Sequence, residues 1–210
     1  MTPVRIKICG LTRLEDARLA GQLEVDAVGV VLWPGSPRAV RVEDAAALCA
    51  VLPPWTMRVG VFVAPSVDDA ATAVRAAGLG AIQLHGVTDV TPYLALRVPV
   101  IWAASLQPGA PDPVAPPGTT LLLDAHDPVH HGGTGRTIDW TRARDVGARH
   151  GRLILAGGLT AGNVGRAIAD VRPYGVDISS GVETAPGVKS AERMIAFVQA
   201  VRQAASVSAV

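Results

Sequence analysis

An excess of charge of either sign is missing from this sequence. Its 19 lysines and arginines face 18 aspartates and glutamates, a formal net charge of +1 over 210 residues. Without a basic surplus the chain carries no electrostatic footprint for nucleic acid or for an anionic membrane surface. Long apolar runs are missing too: stretches such as residues 27–32 and 99–106 fall far short of the roughly 20 residues that cross a bilayer. The N-terminal stretch reaches Arg5 and Lys7 without an apolar run and a small-residue cleavage site, which argues against a secretory signal and for a soluble, cytoplasmic protein. Cysteine is scarce. Cys9 and Cys49 belong to no Cys-x-x-Cys pair or Cys/His array, so neither a disulfide framework nor a zinc site is expected. Lysine is equally rare, at Lys7 and Lys189 alone.

What is present is apolar. At 49% hydrophobic residues, a chain of this length can bury a full core, and it suits one domain better than two. Short apolar runs alternate with helix-period segments, the signature of a parallel sheet. Strands are expected at residues 5–9, 27–32, 58–63, 81–84, 100–104, 120–124, 153–156 and 176–179. Amphipathic helices are expected at 14–21, 42–52, 67–77, 141–149, 162–171 and 190–204. Eight nearly all-apolar strands, mostly followed by a helix, predict a single-domain α/β fold: a (β/α)8 TIM barrel over residues 1–210. An open doubly wound sheet would use fewer strands and a Gly-rich first crossover. One unit breaks the pattern. Residues 107–119 read "QPGAPDPVAPPGT", whose prolines lack the N–H and the backbone freedom of a helix, so a Pro-rich loop is expected in place of the fifth helix.

In such a barrel the chemistry gathers where the strands end. The first strand ends in Cys9, the fourth in Gln83 and His85, the sixth in Asp124, the seventh in Gly157 and Gly158, and the eighth in Asp177, Ser179, Ser180 and Gly181. The loop after the second strand, "WPGSPR", ends in Arg38. "LAGGLT" and "DISSGV" put small residues before a turn, so that backbone N–H groups can approach an anion; the loops after strands seven and eight are where such barrels often hold phosphate. Either could serve a tight turn alone, but the pair on adjacent strands favours a monophosphorylated small molecule. "HHGGTGRTIDW", residues 130–140, is a further glycine stretch without the Gly-Lys-Ser/Thr ending of a nucleotide P-loop; it reads as a lid or an additional ligand contact, with Gly133 as its candidate phosphate contact. His130 and His131 are adjacent on a loop and share no coordination face, so no metal site is expected. Cys9 can be buried filler or a site thiol. Lys7, two residues earlier, shares its face one layer deeper and could help hold a thiolate. A thiol and the Asp124 carboxyl on opposite sides of a bound sugar could move protons at two atoms without a cofactor.

The stretches "KICGLTR", "VGVVLWPGSPRAV", "IQLHG", "LLLDA" with "GGTGRTIDW", "LAGGLTAGNV" and "VDISSGVETAPGVKS" together resemble the phosphoribosylanthranilate isomerases of tryptophan biosynthesis, over nearly the whole chain. The resemblance implies a cofactor-independent Amadori rearrangement of N-(5-phosphoribosyl)anthranilate, with Asp124 as general acid on the ribose ring oxygen and Cys9, as thiolate, as general base at the sugar C2. It further implies that Arg38 binds the anthranilate carboxylate, that Asp177 meets a sugar hydroxyl, that Gln83 and His85 line the substrate site, and that Ser180, Gly181, Gly157 and Gly158 hold the phosphate. The only partner expected is this small-molecule substrate, with a monomer slightly favoured. The chain departs from the family pattern at Val31 and Leu32, where an aromatic is usual, at Ala39, and at Arg136 in place of lysine. Other phosphate-binding barrels fit less well: an indoleglycerol-phosphate synthase wants a catalytic lysine at a strand end, and a ribulose-phosphate epimerase wants a metal. A dual-substrate isomerase would carry aspartate at the position of Cys9. A silent ligand-binding barrel or a thiol redox sensor is the alternative from a different class, and a sensor would want a resolving cysteine nearby.

Overall fold

A strand covered on both faces must be apolar on both, with alternate side chains pointing to opposite sides. The strands "RIKIC", "AIQLH" and "TTLLLD" follow that rule except where a polar side chain is sent inward. In a computed structural model of the chain, which describes residues 4–107, 109–124 and 139–207, eight strands close into a parallel barrel in chain order. They are β1 (Arg5–Cys9), β2 (Ala27–Val31), β3 (Met57–Val63), β4 (Ala81–His85), β5 (Val100–Ser105), β6 (Thr119–Asp124), β7 (Leu153–Leu155) and β8 (Gly175–Ile178). The ring closes between β1 and β8, with Lys7 level with Asp177.

Outside the ring stand α1 (Leu14–Gln22), α2 (Val42–Ala50), α3 (Val67–Ala77), α4 (Thr91–Leu94), α5 (Trp140–His150), α6 (Val164–Val171) and α7 (Ala191–Val207). Outward residues such as Ile8, Ile82, Leu84, Leu121 and Leu123 are sealed beneath them in the main core. Each fully buried aliphatic side chain of this kind contributes about 1.5–3 kcal/mol. Inward residues Val59, Ala81, Ile101, Leu122 and Ile154 fill the barrel axis as a second, smaller core. The helix ends are set locally: Ser66 accepts from the Asp69 N–H at 3.0 Å to start α3, and Asp139 does the same for Arg142 at 3.1 Å to start α5. Among the described residues, no helix is long and apolar enough to cross a membrane.

The expected gap in the helical layer is present, since the described residues between β5 and β6 contain no helix. Arg142 on α5 holds this loop instead. Its guanidinium donates to Asp112 Oδ1 at 2.6 Å and to the carbonyls of Gln107 at 2.8 Å and Ala110 at 2.6 Å, and Arg149 adds a second bond to Asp112. Two elements differ from expectation. The four-residue α4, with a proline in its first turn, is too short to show helical periodicity. Beyond β8, a single 3-10 turn (Ser180–Val182) leads into an antiparallel pair, β9 (Glu183–Ala185) and β10 (Val188–Lys189), where the sequence showed only a loop.

The barrel interior also holds charge. Lys7 is 4% exposed and Asp177 7%, and Lys7 Nζ donates to Asp177 Oδ2 at 2.8 Å. Removing one partner of such a pair leaves an uncompensated buried ion, at a cost of about 3–5 kcal/mol. Lys7→Met should therefore lower the free energy of unfolding measured in urea by an amount in that range, and the double variant Lys7→Met/Asp177→Leu should recover much of the loss. A single variant as stable as the parent would show that the pair does not hold the seam between β1 and β8.

Candidate active site

The C-terminal ends of β1, β4, β6, β7 and β8 open on the same side of the barrel, because all eight strands run parallel. Cys9 ends β1 as a free, buried thiol. It fits because β2 places Gly29 level with it: a β-carbon at Gly29 would lie 2.6 Å from Cys9 Sγ. Val31, Val61 and Trp33 pack around it. Trp33 thus brings an aromatic ring to the wall where Val31 and Leu32 lack one. Asp124 ends β6, half-buried, two strands round the ring from β8.

Burial pushes the Cys9 thiol pKa up, and Asp177 adds to that; the ammonium groups of Lys7 and Lys189 pull the other way. Burial also works against the charge on Lys7, but Asp177 and Cys9 outweigh it and leave the Lys7 pKa raised. Gln83, 2% exposed on β4, has its Nε2 2.8 Å from His85 Nε2. Gln83 Oε1 and Asp177 Oδ1 are buried acceptors with no hydrogen-bond partner among the described residues, both aimed into the barrel interior where a polar ligand group would satisfy them.

The two small-residue turns lie against each other. Gly157 and Gly158 take positive φ values of 88° and 63°, and Asn163 Nδ2 donates to the Gly158 carbonyl at 2.9 Å, fixing the loop ahead of α6. Gly181, in the turn after β8, is pressed so closely on the Leu159 carbonyl that a β-carbon there would overlap it. The structure therefore brings the turn that follows Gly157 and Gly158 against the turn that holds Ser180 and Gly181. Gly133, His130, His131 and Arg136 lie outside the described residues.

Arg38 is where the structure adds most. Its guanidinium is gripped by Glu183, with Nε 2.9 Å from Oε1 and Nη2 2.7 Å from Oε2. Burial alone would raise the Glu183 pKa, but the bonds from Arg38 and the charge of Lys189 outweigh it and hold the carboxylate below its ordinary range. Lys189 completes the group, its Nζ donating to Glu183 Oε1 at 2.7 Å, to the Cys9 carbonyl at 2.5 Å and to the Ser179 carbonyl at 3.3 Å. Neither Glu183 nor Lys189 was among the expected site residues, because they follow the barrel proper. The available signal was that the chain's two lysines both sit in otherwise specific motifs. Among the described residues no three His, Cys, Asp or Glu side chains come together as a metal site.

Comparison with known proteins agrees with this geometry. The profile of the N-(5'phosphoribosyl)anthranilate (PRA) isomerase family matches residues 6–200. An N-(5'-phosphoribosyl)anthranilate isomerase of Pseudomonas putida is 44% identical over 211 residues, covering 97% of this chain and 100% of the relative. The crystal structure of the phosphoribosyl anthranilate isomerase of Thermus thermophilus superposes with a TM-score of 0.84 at 38% identity, over 95% of this chain and 99% of that one. A further phosphoribosyl anthranilate isomerase, solved in complex with reduced 1-(o-carboxyphenylamino)-1-deoxyribulose 5-phosphate, superposes at 0.81 with 33% identity, over the same shares of the two chains. With likeness of sequence and fold running from one end of the barrel to the other, the chain belongs to the N-(5'-phosphoribosyl)anthranilate isomerase family of aldose–ketose isomerases.

Proposed function

We propose that the chain converts N-(5-phosphoribosyl)anthranilate into 1-(2-carboxyphenylamino)-1-deoxyribulose 5-phosphate, in tryptophan biosynthesis, by acid and base groups of its own and without a cofactor. The observation that carries this reading is the arrangement at one barrel end of the Gly157–Gly158 and Ser180–Gly181 turns, the Arg38 guanidinium, the Cys9 thiol and the Asp124 carboxyl. The substrate has matching parts: a phosphate for the turns, a carboxylate for the guanidinium, and a sugar between them.

Held at both ends, the sugar lies between thiol and carboxyl, and positioning supplies much of the rate. Asp124 protonates the ring oxygen as its bond to C1 breaks, which opens the furanose to an iminium. The Cys9 thiolate takes the C2 proton, and the electrons of that C–H bond neutralise the iminium as an enolamine. The enolamine then tautomerises to the ketone, C1 gaining a proton as the C2 hydroxyl loses one. Return of a proton from the thiol to the Asp124 carboxylate through solvent resets the pair. Asp177 Oδ1, buried and without a hydrogen-bond partner among the described residues, is suited to accept from a sugar hydroxyl, with Gln83 and His85 lining the site from β4. Gly133, in the glycine stretch after β6, is the further phosphate contact this reading assigns from sequence alone. The substrate is the one partner this mechanism needs.

The reading is tested by generating phosphoribosylanthranilate in situ and following the loss of its fluorescence. The parent should turn it over, and Cys9→Ser and Asp124→Asn should each lose about 10²–10⁴-fold in kcat, the range of a single proton-transfer group. A well-folded parent that leaves the substrate untouched would assign the cradle to another phosphosugar.

The pH profile tests the base. Because burial raises the Cys9 pKa, the thiolate is scarcer at neutral pH than for an ordinary thiol, so its formation makes the rate rise with pH. In Asp124→Asn the residual rate should still climb with pH until Cys9 is fully ionised, whereas in Cys9→Ser that climb should be absent. A climb that persists unchanged in Cys9→Ser would remove Cys9 from the base's role.

A further inference from the structure

A neutral amine has two N–H donors and an ammonium three. Lys189 Nζ meets acceptors on three different segments: the Cys9 carbonyl at the end of β1, the Ser179 carbonyl and, at 3.5 Å, the Ser179 hydroxyl after β8, and Glu183 Oε1 on β9. The side chain is 0% exposed, so water cannot take the place of any of them. The geometry is that of an ammonium, although burial, the largest influence on it, lowers its pKa against the pull of Glu183. The backbone of Lys189 is fixed as well: its N–H donates to Asp16 Oδ2 at 3.2 Å, and its carbonyl accepts from Arg13 Nη2 at 3.0 Å.

The second half of the arrangement is Glu183. One carboxylate bridges two cations, taking Arg38 bidentately and Lys189 through Oε1, with the Gly187 N–H also on Oε1 at 3.2 Å. Its side chain is 4% exposed and that of Arg38 is 12% exposed. With Nε and Nη2 committed to Glu183, Nη1 is the guanidinium nitrogen without a bond to it, on a group that can no longer swing. The triad carries one net positive charge beside Cys9.

We propose that Glu183 and Lys189 are a paired positioning device: Glu183 aims Arg38 at the substrate carboxylate, and Lys189 ties that assembly to the Cys9 strand end while standing as counter-charge to the Cys9 thiolate. The inference rests on the proposed roles of Arg38 and Cys9. The other charges facing the thiol are Lys7 from the same strand, Asp177 from β8 and Arg38 from the loop after β2. Lys7 is already matched by Asp177 at 2.8 Å, so the surplus positive charge comes from the triad. Neither Glu183 nor Lys189 touches the reacting atoms, and each acts through another residue.

The test is a titration of Cys9 by its ultraviolet thiolate absorbance in the free enzyme, in a Cys49→Ala background. Lys189→Met should raise the midpoint by about one pH unit, or tenfold less thiolate at a given pH below it, and Lys189→Arg should restore most of the shift because the charge remains. Glu183→Gln should move the midpoint the other way, downward, because the cation beside the thiol loses its anion. The same variant should weaken binding of a reduced, carboxylate-bearing product analogue about tenfold. A structural role alone would move both variants in one direction. An unchanged midpoint in a natively folded Lys189→Met, equal shifts in Lys189→Met and Lys189→Arg, or an upward or absent shift in Glu183→Gln would each overturn the proposal; the last holds even if Lys189→Met does not fold. The titration uses no substrate, so its outcome is independent of whether the parent turns over phosphoribosylanthranilate.

Discussion

A buried ammonium must find an acceptor for each N–H and a counter-charge nearby, and two such groups organise one end of this barrel. Lys7 finds its counter-charge in Asp177, which joins the first strand to the last at the seam where the ring closes. Lys189 meets the requirement through Glu183 and two strand-end carbonyls, which draws the β9–β10 hairpin down over the same seam. Taking each ion out of water costs several kcal/mol unless its partners are placed to repay it. The two networks therefore act as constraints on geometry as much as sources of stability, because neither tolerates a partner that is slightly misplaced.

That constraint explains why a thiol can sit at the end of β1 at all. Burial among Val31, Val61 and Trp33 keeps Cys9 away from water, and Gly29 leaves its sulfur the space a side chain would otherwise fill. The same burial holds its proton on. The two lysines oppose that tendency from below and from the side, and Asp177 tempers them. Ionisation of the thiol is thus set by burial and by the balance among three buried charges contributed by β1, β8 and β10, with Cys9 itself no more than an ordinary cysteine in an unusual field.

Most of the architecture was legible because a closed barrel forces its strands to be apolar on both faces, and that pattern survives in strands as short as "AIQLH". Strand ends followed from the same logic, which is why Cys9, Gln83, His85, Asp124 and Asp177 could be named from alternation and Arg38 from its loop. Glu183 and Lys189 could not be named that way. They follow the last barrel strand, their partners are 145 and 180 residues distant in sequence, and a carboxylate and an ammonium in a loop read as solvated until the hairpin buries them. Helix α4 leaves no mark in the sequence for a different reason, since one turn of helix has no period. The helix missing between β5 and β6 was visible because proline excludes it chemically, whereas the use of Arg142 to hold the loop in its place depends on a contact made only in the folded chain.

The contact between Gly181 and the Leu159 carbonyl has an evolutionary side. The turns after β7 and β8 are built by separate stretches of chain, yet the backbone of one is the wall of the other. A side chain cannot be grown on Gly181 unless the Leu159 turn retreats, and a wider Leu159 turn would leave the Gly181 side open. Sequence drift in either stretch is coupled to the other, and a designer transplanting this cradle into another barrel would have to move both turns as a single cassette.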